Sequence, residues 1–257
     1  MKPFHTLAET TAPDGGRFTL HEHDGDYFMK LNGRQLMSST STASEILLAK
    51  LGCENLRRHP HPRILIGSLG LGFSLKAVLS MIGKKAEIHV AELLPEVVDW
   101  NRRFLMKLNG KLLNDRRVKV FTEDVMGLIR RAQAERYDAI LLDVDNGPTS
   151  FVQARNSRLY SRRGFERIAQ ALQPGGRVAF WSATDEEAFG EALARAGFRV
   201  HVVEAKSHER AKRFEHRIYV GETKPRERLA APAEAPNSNI QAPEKLQTSK
   251  LQGQRRT

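Results

Sequence analysis

At 257 residues, 40% hydrophobic and 28% charged, the chain has the composition of a soluble globular protein, with room for one large domain or a domain and an appendage. A single cysteine, Cys53, excludes an internal disulfide and a cysteine-rich metal site, and fits a reducing, cytoplasmic setting. The formal net charge is +11, which invites an acidic partner but names none.

The first patterned stretch is residues 17–37. Phe18 and Leu20, a turn at Asp24-Gly25-Asp26, the run Tyr27 to Leu31 and a second turn at Asn32-Gly33 predict a small antiparallel meander. Thr42-Ala43-Ser44-Glu45 has the spacing of a capping box opening a helix that runs to about Leu51. His21, His23, His59 and His61 come in i, i+2 pairs, which on strands would place both rings of a pair on one face. No third ligand is placed beside them, and solvated histidines are the simpler reading.

Residues 63–83, RILIGSLGLGFSLKAVLSMIG, read as strand, tight glycine turn and helix, the first unit of a nucleotide-binding α/β domain. Gly67-Ser68-Leu69-Gly70-Leu71-Gly72 forms the turn. Gly70 and Gly72 leave room for a ligand to approach the backbone, and the helix N-terminus points free N–H groups at it. Lys76 and the glycine turn argue against a membrane span. The next strand, residues 87–93, carries Glu92, which stands 20 residues beyond Gly72, where a carboxylate can accept hydrogen bonds from a ribose diol. The simplest alternative is a glycine-rich turn that binds nothing.

Pro95 suits a first helical turn, and residues 96–107 are expected to be one helix. Residues 117–121 form a third strand. Asp124 follows it, positioned to cap a helix or to contact a base. Residues 137–143, YDAILLD, are apolar enough for the innermost strand. They end in Asp143-Val144-Asp145-Asn146-Gly147-Pro148, two carboxylates on a loop at the substrate-bearing edge of an open α/β sheet. A helix over 161–172, a strand over 177–182, a helix from Asp185 stopped by Gly197, and a closing hairpin over 198–204 and 214–220 complete the domain. Such a hairpin distinguishes methyltransferase-type sheets from those of dinucleotide dehydrogenases. Residues 222–257 carry few large apolar side chains and are expected to form a disordered tail. Their seven Lys/Arg and four Asp/Glu leave about +8 on the folded part, clustered at 155–167 and 206–217. Such patches would suit nucleic acid, but no nucleic-acid-binding motif accompanies them.

The succession IGSLGLG, VAELLPEVVDWNRRFL, VKVFTED, YDAILLDVDNGP and LYSRRGFERIAQALQPGG resembles the spermidine synthase (polyamine aminopropyltransferase) family over about residues 17–220. The resemblance implies decarboxylated S-adenosylmethionine as donor of an aminopropyl group to an amine. It implies that Gly67, Ser68, Gly70 and Gly72 form the glycine loop, that Glu92 binds the ribose, that Asp124 contacts adenine, and that Asp143 is the first acid of the family's Asp-x-x-Asp-Pro loop. This loop is shorter here, with Asp145 two positions after Asp143 rather than three. Ser68 and Leu69 stand where the family usually has glycines.

The fold expected is therefore α/β: a Rossmann-like sheet of the S-adenosylmethionine-methyltransferase type, with a C-terminal antiparallel hairpin and a small N-terminal β appendage. The expected divisions are 1–41, 42–221 and 222–257. The expected activity is aminopropyl transfer, with Asp143 and Asp145 as the catalytic acids, no metal, a small amine as acceptor, no membrane and a homodimeric assembly. Methyl transfer from S-adenosylmethionine is the first alternative, and a non-catalytic nucleoside-binding module contacting nucleic acid the second.

Overall fold

Two sheets organise the chain in the computed structural model, which describes residues 3–13, 15–132, 134–143 and 158–225. The first is an antiparallel meander of β1 (His5–Thr11), β2 (Arg17–His23), β3 (Asp26–Leu31) and β4 (Arg34–Ser38), paired in that order. Its two-residue turns follow from local chemistry. Asp24 and Gly25 take φ of +51° and +89°, and Asn32 and Gly33 take +49° and +78°. Positive φ at both central residues is what a tight hairpin needs and what Asp, Asn and Gly tolerate. β1 is an addition to the expected meander. It is a largely exposed edge strand, so it lacks the apolar alternation that marks β2 and β3. The buried face of the meander, with Phe18, Leu20, Tyr27 and Met29, joins the main core, and Phe18 stacks on Trp100 with ring centroids 5.6 Å apart.

The second sheet contains β5 (Arg63–Gly67), β6 (Glu87–Ala91), β7 (Val118–Phe121), β8 (Tyr137–Leu142), β9 (Leu172–Ser182), β10 (Arg199–Ala205) and β11 (His216–Glu222), ordered β10-β11-β9-β8-β5-β6-β7. β5 through β9 are mutually parallel, and β11 runs antiparallel to both β9 and β10. β8 is the central strand, as its apolarity predicted. Its neighbours alternate cleanly between the two faces. Leu141 and Ala179 pack into the core beneath α1 (Ala43–Cys53) and α2 (Phe73–Met81), whereas Leu142 and Phe180 pack into the core on the other face. That second core is closed by α5 (Val125–Arg131), α6 (Arg162–Ala171) and α7 (Glu187–Arg195).

Three local expectations are revised. The single helix over 96–107 is broken into α3 (Pro95–Arg103) and α4 (Met106–Asn109). The amides of Phe104 and Leu105 both turn back to the Trp100 carbonyl, which ends the regular ladder there. β9 begins immediately after α6, at Leu172, and so absorbs the Pro-Gly-Gly turn expected before it. Glu222 does not open a tail but ends β11. It is 7% exposed and bridges Arg177 at 3.2 Å and Arg199 at 2.5 Å. The backbone stays tied through Lys224, whose carbonyl accepts from the Gly175 amide at 3.1 Å. Residues 226–257, the rest of the expected tail, lie outside the described residues.

The direction of α1 matters for the site. A Cβ at its residue Gly52 would meet Leu141 and Ala179, and the guanidinium of Arg177, two residues before Ala179 on β9, donates to the Leu51 carbonyl at 3.2 Å. The helix therefore runs against the strands, with its first turn over the C-terminal ends of β8 and β9.

Glu222→Ala should cost about 1–3 kcal/mol, because Arg177 is left partly buried with one acceptor fewer. A chain ended at Pro225 should unfold where the full chain does. Urea denaturation of the three proteins checks both statements; equal stability of Glu222→Ala and wild type would show that the bridge contributes nothing.

Candidate functional site

The parallel register brings the C-terminal ends of four strands level. Gly67 pairs with Ala91 on one side and Leu142 on the other, and Ala91 pairs with Phe121. The residues singled out from the sequence follow these strand ends: Ser68, Glu92 and Asp143 directly after β5, β6 and β8, and Asp124 three residues after β7. The strand order reverses between β5 and β8, and open α/β sheets place their ligands at such a crevice. Asp145 lies outside the described residues.

Glu92 is the hub of this edge. It is 5% exposed, and its Oε2 accepts the Leu69 amide at 2.9 Å and the Ser68 hydroxyl at 3.4 Å. Its Oε1 accepts the Leu94 amide at 3.0 Å. Burial pushes the Glu92 pKa up, while the amides of Leu94, Leu69 and Gly70 and the Ser68 hydroxyl pull it back. The carboxylate thus ties the glycine turn to the start of α3. Ser68 has φ of +89°, a region that costs a non-glycine residue about 1–3 kcal/mol. Its amide bonds to the Ala91 carbonyl at 2.8 Å, and its hydroxyl faces Glu92, so the surroundings hold the strained residue in place.

The glycines of the turn serve packing within the chain. Gly70 (φ +51°) and Gly72 (φ +88°) both adopt conformations that favour glycine. A Cβ on Gly70 would sit 2.9 Å from the Met37 sulfur, and one on Gly72 would sit 2.9 Å from the Asn109 amide nitrogen. The space they leave on that side is filled by β4 and α4. Asn101 Nδ2 donates to the Gly70 carbonyl at 2.9 Å, and Asn109 Nδ2 donates to the Leu71 carbonyl. Sequence reasoning missed Asn101 and Asn109. A signal existed for Asn101: it falls at helical spacing between Val97 and Leu105, so a polar residue occupies an apolar stripe.

Asp124 is the N-cap of α5, its Oδ1 accepting the Met126 amide at 2.7 Å. Of its two expected roles, the structure displays the capping one. Asp143 is half-buried at the end of β8. Strand alternation turns it to the α1 face, because Leu141 lies on that face and Leu142 on the other. Leu142 pairs with Phe180, so Asp143 and Trp181 are the next neighbours in the register, and Trp181 belongs to the same α1-side cluster.

A further acid reaches this corner. The expected capping box is not formed: Thr42 makes no side-chain cap bond. Glu45 instead lies buried, 8% exposed, in the first turn of α1. Burial, with the negative charge of Asp143 added, raises its pKa well above the usual carboxylate range. Its Oε2 has no hydrogen-bond partner among the described residues.

Three of the four paired histidines are otherwise engaged. His23 stacks on Phe4 at 4.4 Å, His21 bonds to Thr19 at 2.9 Å, and His59 lies 3.9 Å from Asp138. No group of three or more His, Cys, Asp or Glu that could hold a metal occurs among the described residues. No helix among them is long and apolar enough to cross a membrane. A groove lined by His59, His61, Arg63, Glu87 and Asp138 opens at the opposite edge of the sheet, away from the glycine turn and the acids Glu92, Asp124 and Asp143.

The spermine/spermidine synthase domain matches residues 56–187, just over half of the chain. Putrescine N-methyltransferase 2 of Nicotiana attenuata is 36% identical over 122 residues, 46% of this chain and 30% of its own length. Polyamine aminopropyltransferase 1 of Streptomyces coelicolor is 33% identical over 127 residues, 49% of this chain and 23% of its own. The matched segment thus spans a third or less of these relatives. The spermidine synthase of Thermotoga maritima superposes with a TM-score of 0.64 at 14% identity, over 84% of this chain and 72% of that one, a likeness of fold.

Glu92→Gln tests the hub. An amide nitrogen in place of one oxygen would confront the amide of Leu69 or Leu94, leaving a buried donor unpaired, at a cost of about 1–3 kcal/mol. Unfolding in denaturant measures it; an unchanged midpoint would mean that the turn holds without the carboxylate.

Proposed function

The chain belongs to the spermine/spermidine synthase family, and on that premise we propose that it is a transferase that binds an adenosyl sulfonium at the glycine turn and moves an aminopropyl group to an amine. The observation that carries this reading is the half-buried Asp143, one strand over from a turn already shaped by Glu92. In this proposal Glu92 uses its remaining lone pairs for the ribose diol, Ser68, Gly70 and Gly72 border the adenosyl group, and Asp124 lies toward the base. Asp143 holds the donor's ammonium.

The chemistry asks little covalent work of the protein. A sulfonium is already a leaving group, so catalysis consists of holding nucleophile, carbon and sulfur in line. The acceptor needs more help. An alkylamine with a pKa of about 10.4 is mostly protonated near neutral pH and has no free lone pair. A carboxylate must hold it and take its proton, and Asp145 is the proposed base. The donor would be decarboxylated S-adenosylmethionine, with no metal in the reaction.

The second reading is methyl transfer from S-adenosylmethionine to an amine. It is favoured by the likeness to the Nicotiana attenuata enzyme, whose name gives putrescine as acceptor. The two readings share an amine acceptor and differ in the donor. S-adenosylmethionine carries a carboxylate that the decarboxylated donor lacks. Two like charges at about 4 Å repel by roughly 4 kcal/mol at an effective dielectric of about 20.

With aminopropyl transfer, wild-type protein should bind decarboxylated S-adenosylmethionine much more tightly than S-adenosylmethionine. Asp143→Asn should shrink that preference, by losing the ammonium contact and easing the repulsion together. Calorimetric titration of both donors into both proteins decides. Equal or inverted affinities in wild type would remove the aminopropyl reading in favour of methyl transfer.

A further inference from the structure

Glu45 is a buried acid whose Oε2 meets no hydrogen-bond donor among the described residues. Its Oε2 is enclosed and unpartnered, a condition that costs a folded protein free energy unless something else uses the group. It has not been placed there by helix capping, because Thr42 makes no side-chain cap bond. Nor is it a drifting surface side chain, since only 8% of the residue is exposed. Residues of both signs bridge one another elsewhere on the described surface, yet no described cation bridges Glu45.

The placement of α1 shows what surrounds it. Gly52 lies over Leu141 and Ala179, and two helical turns earlier the chain has advanced along the strands to their C-terminal ends. That is the level of Asp143 and Trp181, one step beyond the paired Leu142 and Phe180, and the Asp143 charge bears on Glu45. Two carboxylates thus share one corner of the crevice, while the Trp181 indole on the same face packs on His216 with ring centroids 4.7 Å apart. On the same face the Trp181 ring nitrogen and the His216 Nδ1 also lack partners among the described residues.

We propose that Glu45 is a specificity-determining residue of the donor subsite. With Asp143 it forms a carboxyl pair that receives the donor's primary ammonium and rejects a carboxylate at the same position. The inference rests on the adenosyl-sulfonium reading above and adds a residue to it. An ammonium has three N–H donors, so it can satisfy the unpartnered Glu45 oxygen and Asp143 at once. Asp143 alone would favour the ammonium. Glu45 beside it gives the cation a second acceptor that a carboxylate-bearing ligand cannot use, so the selection depends on both.

The test uses the full chain and two ligands that share the adenosyl group. Methylthioadenosine has neither ammonium nor carboxylate, whereas decarboxylated S-adenosylmethionine has the ammonium. Glu45→Gln keeps the shape and removes the ionisable carboxyl group. It should weaken the cationic ligand by about tenfold or more, the scale of a hydrogen bond to a charged group. Methylthioadenosine should bind within about twofold of wild type. In the Asp143→Asn background the same substitution should have a smaller effect, because the pair is already broken. Should the amide fail to fold, Glu45→Met fills similar space and carries the same expectation. Unchanged binding of the cationic ligand, or an equal loss for both ligands, would overturn the role of Glu45 while leaving the adenosyl site intact. If wild type binds neither ligand, the functional reading falls and this inference with it.

Discussion

The site depends on one buried carboxylate. Glu92 lies between the first βα turn and the start of the next helix and accepts hydrogen bonds from both. Without it, the amides of Leu69 and Leu94 would be buried donors facing one another across a gap, and the left-handed Ser68 would lose the group its hydroxyl faces. The cost of burying the charge is offset by donors already aimed at it, so the acid is locked before any ligand arrives. A ribose diol would then meet an acceptor whose position is settled in advance, which lowers the entropy lost on binding.

The turn that Glu92 anchors is also braced from outside. Met37 from the N-terminal meander fills the space beside Gly70, and Asn101 and Asn109 bind the carbonyls of Gly70 and Leu71. The meander is therefore more than a neighbour of the main sheet. Its Phe18 stacks on Trp100, one residue before Asn101, so the same helix receives the appendage and supports the turn. This explains why α3 ends where it does. Continuing the helix past Arg103 would carry Asn109 away from the turn, whereas the break at Phe104–Leu105 lets the short α4 bring it back.

Much of this is legible in the sequence where the signal is local. Asp24-Gly25 and Asn32-Gly33 announce their turns because few other residues take positive φ cheaply. The apolar run of β8 announces a strand covered on both faces, and it is the central one. The order of strand, glycine turn, helix and acid assigns Gly67, Ser68, Gly70, Gly72 and Glu92 to one edge from spacing alone. What stays hidden is non-local. β1 is held by pairing with β2 rather than by its own apolarity. Glu222 reads as the start of a polar tail until Arg177 and Arg199 are seen beside it. Glu45 is the clearest case. Its spacing from Thr42 fits a capping box, and only the packing of α1 across β8 and β9 reveals that the side chain goes to the sheet.

That packing sets a mechanical tolerance. α1 approaches β8 so closely at Gly52 that a Cβ there would collide with the Leu141 side chain. The helix is a stiff rod with its clearance set at one end and an acid carried at the other. Adding one methyl group at Gly52 would act as a shim, lifting the rod from the sheet or sliding it along. Glu45 would move with it, although nothing near Glu45 had been changed. The smallest residue in the helix thereby governs the alignment of a carboxyl group two turns away.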